Sequence, residues 1–165
     1  MPRGDPALRA GFRRGDFVTE DLGDDDIRAT HDGDGKGVVI HLFNQRPCQK
    51  SCQLARKIFD RCQDLADVRT RLGAKPSGWT ALHCLSDCAN NEAFEHWGER
   101  MAWELLAKCS WETVNARTDK QSTSAHLAVR RGLLGVIKAL KRDSRREILQ
   151  LFIIQWLVTH YVLTY

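Results

Sequence analysis

The chain has 165 residues, of which 42% are hydrophobic and 28% charged. That composition excludes a disordered polar chain and a fibrous one, and the length suits one domain or a short repeat array. Lys plus Arg number 25 against 21 for Asp plus Glu, too small an excess to make nucleic acid the expected partner. The charge is unevenly distributed. Residues 1–36 carry six basic and nine acidic side chains, residues 37–147 nineteen and twelve, and residues 148–165 none.

In chain order, residues 1–33 scatter Phe12, Phe17, Val18, Leu22 and Ile27 among charges with no sustained period. This predicts a poorly ordered acidic arm, with room for one short piece to fold over the first repeat of the body that follows. The opening stretch MPRGDPALRAGFRRGDF has charges and prolines where a secretory leader needs an apolar run. A cytoplasmic chain with reduced thiols at its six cysteines is therefore expected. Arg3-Gly4-Asp5 and Arg14-Gly15-Asp16 both spell the integrin tripeptide, a three-residue signal too short to carry a function. Asp32, Asp34 and Gly37 fit positions one, three and six of a calcium loop. Lys36 then sets a cation against the cation, and Phe43 stands where a bidentate Glu is required. The segment reads as an acidic turn before a helix, and no metal is expected there.

From residue 34 onward the chain repeats. VVIH ends at His41, TALH at His83 and TSAH at His126, spaced 42 and 43 residues apart. A second apolar stretch comes after each: Leu54, Ile58 and Phe59, then Met101, Leu105 and Leu106, then Val136, Ile137 and Leu140. Their i, i+4 spacing suits a helix face. The expected fold is all-α, a short solenoid of three helix-turn-helix units (34–75, 76–118 and 119–147) with elongated connections. Thr80 and Thr123 are placed to cap helix starts through their hydroxyls, with His83 and His126 one turn on. Val38 offers the first unit no such cap, a loss of about 1 kcal/mol, so that unit is expected to fray first. The second unit's extra length falls at residues 90–98, around Phe94 and Trp97. The first unit's is divided between Arg46-Pro47-Cys48 and residues 67–75. In the second unit the extra residues are expected either to extend the first helix and pack on the neighbouring unit or to loop out and offer Phe94 and Trp97 as a partner hot spot.

At these residues the chain resembles the ankyrin repeat family. Gly78-Trp79-Thr80-Ala81-Leu82-His83 is similar to the family's G-x-T-P-L-H start. Residues 114–128 match its repeat end and next start, and residues 132–140 its second helix. The likeness is close over 75–140, loose over 34–74 and absent outside. Val38 and Gln121 depart from the family's Thr and Gly. The family's period is about 33 residues, so these units are longer. The resemblance implies an interaction scaffold without catalysis that binds a so far unidentified protein partner. It places the partner at the turn tips Pro76, Ser77 and Trp79, then Arg117, Asp119, Lys120 and Ser122. On the inner helices it implies Asp87 and Cys88, then Arg130 and Arg131. Trp79 leads, because a large aromatic left in water is costly and enriched at hot spots. His41, Thr80, His83, Thr123 and His126 form the repeat framework.

Residues 148–165 hold eighteen uncharged residues; as a helix they would span about 27 Å, just short of a hydrocarbon core of roughly 30 Å. Gln150, Gln155, Thr159, His160 and Thr164 interrupt that span. The tail reads as packed on the repeats, as a membrane anchor displaying the repeats to the cytosol, or as a break in the pattern after Leu140. Cys48-x3-Cys52 and His83-Cys84-x3-Cys88 raise a cysteine-based metal-binding regulatory domain as a further alternative. None of the usual zinc spacings appears, Cys is a common buried residue, and no cofactor is expected. No nucleophile elbow, zincin pair or phosphate-binding glycine loop is present, so no catalysis is expected. The cluster from Arg130 to Arg146 reads as solvated helix faces, with no aromatics interleaved for stacking on bases.

Overall fold

The structure, a computed structural model, describes residues 23–29, 37–44, 49–70, 77–88 and 92–143. The described residues form eight α-helices and one short 3-10 helix, with no strand among them. The all-α expectation holds. In chain order the helices are α1 (Asp24–Ala29), α2 (Val38–Asn44) and α3 (Gln49–Arg61), followed by the 3-10 helix Gln63–Asp67. Then come α4 (Ala81–Ser86), α5 (Glu92–Lys108), α6 (Trp111–Val114), α7 (Ser124–Arg131) and α8 (Leu134–Arg142).

Three pairs of consecutive helices pack together, and the most extensive packing of all joins α5 to α8. The pairs are α2 with α3, α4 with α5, and α7 with α8. The first members pack in sequence, α4 lying against both α2 and α7; the second members do likewise, α5 lying against α3 and α8. Two layers of helices result. The apolar spacing explains them: in α3, Cys52, Ala55, Ile58 and Phe59 share one face and are buried. Met101, Ala102, Leu105 and Leu106 do the same in α5. All six residues of α4 are buried, because it is covered on both sides of its own layer and from behind by α5. Small side chains such as Ala81 and Ala128 let neighbouring helices approach closely.

One segment differs from the expectation. Residues 92–98 neither loop out nor lengthen the first helix of their unit; they are the first two turns of α5. The reason is tertiary. Phe94 is buried and meets Trp97 edge-on at 4.6 Å between ring centroids, a favoured aromatic geometry. Gly98 leaves room for the Phe94 ring, which a Cβ there would approach to 2.4 Å. In the first unit α2 begins at Val38 itself, and Val38 is buried.

Within 1–33, residues 24–29 form α1, which buries Ile27 completely in the core. Arg28 pairs with Asp64 at 3.0 Å, and Arg61 with Asp24 at 2.7 Å, so α1 is tied to the end of the first unit. Both Arg-Gly-Asp tripeptides, residues 32–36, Cys48, Pro76 and the 148–165 tail lie outside the described residues. Among the described residues no helix is long and apolar enough to cross a membrane.

The connections repeat as well. Gly78 and Gln121 both sit at positive φ, 68° and 59°, in the same register 43 residues apart. Glycine takes that conformation freely, whereas a side chain makes it cost about 1 kcal/mol. Gln121→Gly is therefore expected to stabilise the chain by about 1 kcal/mol, and Gly78→Ala to destabilise it similarly. Equilibrium urea unfolding of both variants checks the pair.

Candidate functional site

The repeated structural unit is a helix start. Thr80 precedes α4 in extended conformation, and its Oγ1 accepts from the His83 backbone N–H at 3.4 Å. The imidazole reaches back, with Nδ1 3.2 Å from Thr80 N and 2.8 Å from Thr80 Oγ1. This reciprocal cap satisfies two orphan donors at once. Thr123 and His126 repeat it before α7, with Nδ1 at 3.3 Å from Thr123 N and 2.8 Å from Oγ1. His41 lies within α2.

His83 does more than cap. It is buried, and its Nε2 lies 3.1 Å from the carbonyl oxygen of Ala116, near the end of its own unit in the connection that leads to α7. A nitrogen facing a carbonyl must donate, so Nδ1 accepts from Thr80; only the Nε2–H tautomer satisfies both. One side chain thus closes its own helix start and ties it to the connection that leads into α7, the first helix of the following unit. His126 is only half-buried. Burial, with Arg117 nearby adding to it, holds its imidazole below the ordinary histidine range.

A second link between units is ionic. Arg130 and Arg131 of α7 both reach Asp87 at the end of α4, each at 2.8 Å. Burial opposes the Asp87 charge, but the hydrogen bonds from Arg131 and Arg130 outweigh it and hold the carboxyl below its ordinary value. A depressed carboxyl contributes stability that is fully present above the unfolded value, about 3.9. It is lost as pH falls through the lower folded value. Asp87→Asn is therefore expected to cost about 1 kcal/mol at neutral pH and to make the remaining stability less acid-sensitive below pH 4. Thermal melts of the parent and variant between pH 7 and pH 3 measure both.

The third-unit turn is the most open part of this region. Thr118 N donates to Ser122 O and Gln121 N to Thr118 O, both at 2.9 Å, while the Asp119 carboxylate accepts from Lys120 N. Arg117, Asp119 and Lys120 stand exposed on it, and Ser122 is half-buried. The second-unit turn differs from expectation. Ser77 is buried. Trp79 is half-buried against the core, its ring centroid 6.2 Å from that of His83. Its backbone is pinned by Thr70, with Thr70 N donating to Trp79 O and Trp79 N to Thr70 Oγ1, each at 2.8 Å. Trp79 is thus not the free-standing aromatic that its place in the motif suggested. Cys88 is buried, and Arg130 and Arg131 are exposed but already occupied by Asp87. Among the described residues the exposed large apolar side chains are instead Trp111 (54%) and Leu134 (63%). Neither is singled out by spacing, since neither belongs to the repeated motif.

Cys52, Cys62, Cys84, Cys88 and Cys109 are buried thiols outside any disulfide. Cys88 Sγ donates to Cys84 O at 3.2 Å, and burial pushes its thiol and that of Cys62 upward. Among the described residues there is no group of three or more side chains able to hold a metal ion. A buried, protonated thiol is a poor nucleophile. All five are expected to stay unreactive toward a disulfide reagent in the native chain and to react at once in 6 M guanidinium. Titration of free thiols with and without denaturant measures this.

A shallow groove between α3 and α5, lined by Phe59, Met101 and Ala107, is spanned by the pairs Arg56–Glu104 and Lys108–Asp60. Its charges are paired with one another, and no Ser, Thr, Cys or His lines it. In comparisons with known proteins, no family model, curated protein or solved structure matches the chain.

Proposed function

We propose that this chain is a cytoplasmic, ankyrin-like scaffold that binds a protein partner and carries out no reaction. The observation that supports it most is the recurrence of one Thr-x-x-His cap at two helix starts 43 residues apart. Each cap stands ahead of a helix pair that packs on its neighbour in register. A frame built this way fixes the turns and leaves their side chains free to vary, which is how a solenoid presents a binding surface. Arg117, Asp119 and Lys120 are the turn residues that stand out from the frame.

The test uses the full chain as bait beside the double variant Arg117→Glu, Lys120→Glu, with the folding of both checked by circular dichroism. The scaffold reading expects a protein captured by the parent and lost by the folded variant. Capture of an identical set by both, or turnover of a small-molecule substrate, would count against it.

A further inference from the structure

Helix α1 has six residues, too few to stay helical in water without support. It persists only because it docks. Among the described helices none packs along its length. Of its described side chains Ile27 alone is buried, while Asp24, Asp25, Asp26 and Arg28 stand exposed.

The docking face is Asp24, Ile27 and Arg28, at i, i+3 and i+4 of the helix. Asp24 meets Arg61 at 2.7 Å. The Arg28 guanidinium grips both oxygens of Asp64, with Nε 3.0 Å from one and Nη2 3.0 Å from the other. The signs are crossed: an acid at the start of α1 meets a base, and a base near its end meets an acid. That crossing fixes the direction in which α1 lies. Between Arg61 and Asp64 in the chain stands Cys62, fully buried, with its Sγ 3.8 Å from the Asp24 carbonyl oxygen. One apolar anchor and two ion pairs therefore hold a cover over a thiol.

We propose that α1 is a charge-latched strap, which lifts off the first unit and uncovers Cys62 while the three helix pairs stay folded. Exposed ion pairs contribute little each and are screened by salt, so the latch is weak and answers to ionic strength. The packing of α2 on α3 and α4, and of α3 on α5, does not pass through α1. An element held by one buried side chain and exposed charges opens locally, far more often than the whole chain unfolds. The strap is independent of the scaffold reading, since it involves neither a partner nor the third-unit turn.

The test alkylates the full chain with iodoacetamide and follows each cysteine by peptide mass mapping. At low ionic strength the described thiols stay unreacted over minutes, and hours are needed to label Cys62. In 1 M KCl, where charges are screened beyond about 3 Å, Cys62 is expected to label about fivefold faster, with the other described cysteines unchanged. Ile27→Asp removes the anchor and is expected to speed Cys62 by roughly thirtyfold, again alone, with circular dichroism showing the helix pairs intact. Arg28→Asp sets two carboxylates against each other and is expected to speed Cys62 as salt does. Adding Asp64→Arg reverses the pair and restores the parent rate. Three results would overturn the strap: a Cys62 rate unmoved by salt or by Ile27→Asp, acceleration of all the cysteines in step, or a reversed pair that fails to restore protection.

Discussion

His83→Ala is expected to cost the fold about 3 kcal/mol, and His126→Ala about 1 kcal/mol. Both substitutions remove a reciprocal cap with Thr80 or Thr123, and that loss alone is worth about 1 kcal/mol. His83 adds two further terms. It is buried among helices, so alanine leaves space that the neighbours only partly refill. It also abandons the Ala116 carbonyl, itself buried and reached at 3.1 Å; an orphaned buried acceptor costs about 1–3 kcal/mol. Urea unfolding followed by circular dichroism resolves a difference of that size. Equal costs for the two histidines would mean that the bond to Ala116 contributes nothing.

The second large effect is expected at Gly135→Leu, a loss of about 2 kcal/mol. In an exposed helix, replacing glycine by a better helix former gains about 1 kcal/mol. Here the added Cβ would meet Glu99 Cβ at 2.8 Å, with Glu99 Cα and N at 3.3 Å. Backbone atoms cannot rotate aside, so α8 must move off α5 along the contact that joins the last two helix pairs. The helix gain is smaller than the packing lost, and the sign is destabilising. Thermal unfolding of the variant measures it, and a stabilised variant would show that α5 and α8 lie further apart.

Much of this architecture is legible in the sequence because its signals are local. A Thr with a His three residues later specifies a helix start through hydrogen bonds that span one turn, and both such caps are present. The apolar i, i+4 pairs lead to α3, α5 and α8 because those helices are long enough to show a period. Helix α1 is not visible as a helix, since six residues with one buried side chain, Ile27, show no period. The start of α5 is hidden because Gly98 looks like a loop residue until the Phe94 ring beside it is known.

The binding surface is harder to read for a physical reason: exposure is a tertiary property. The motif puts Ser77 and Trp79 at a turn tip, yet their bonds and contacts turn them toward the core. Arg130 and Arg131 read as free basic residues until Asp87, 43 and 44 residues earlier, is seen to hold both. That separation equals the repeat spacing, so aligning the units for opposite charges in equivalent positions would find the pair. Trp111 and Leu134 carry no signal at all, because nothing in a sequence distinguishes an apolar residue that stays outside.

The most direct measurement is the long-range proton–nitrogen NMR spectrum of the histidine side chains in the full chain. If successive helical hairpins are latched together by an imidazole, His83 gives an Nε2-bound proton that exchanges slowly with water and shows an Overhauser contact to Ala116. A rapidly exchanging His83 ring, or one protonated on Nδ1 alone, would contradict that latch and the stacked arrangement built on it.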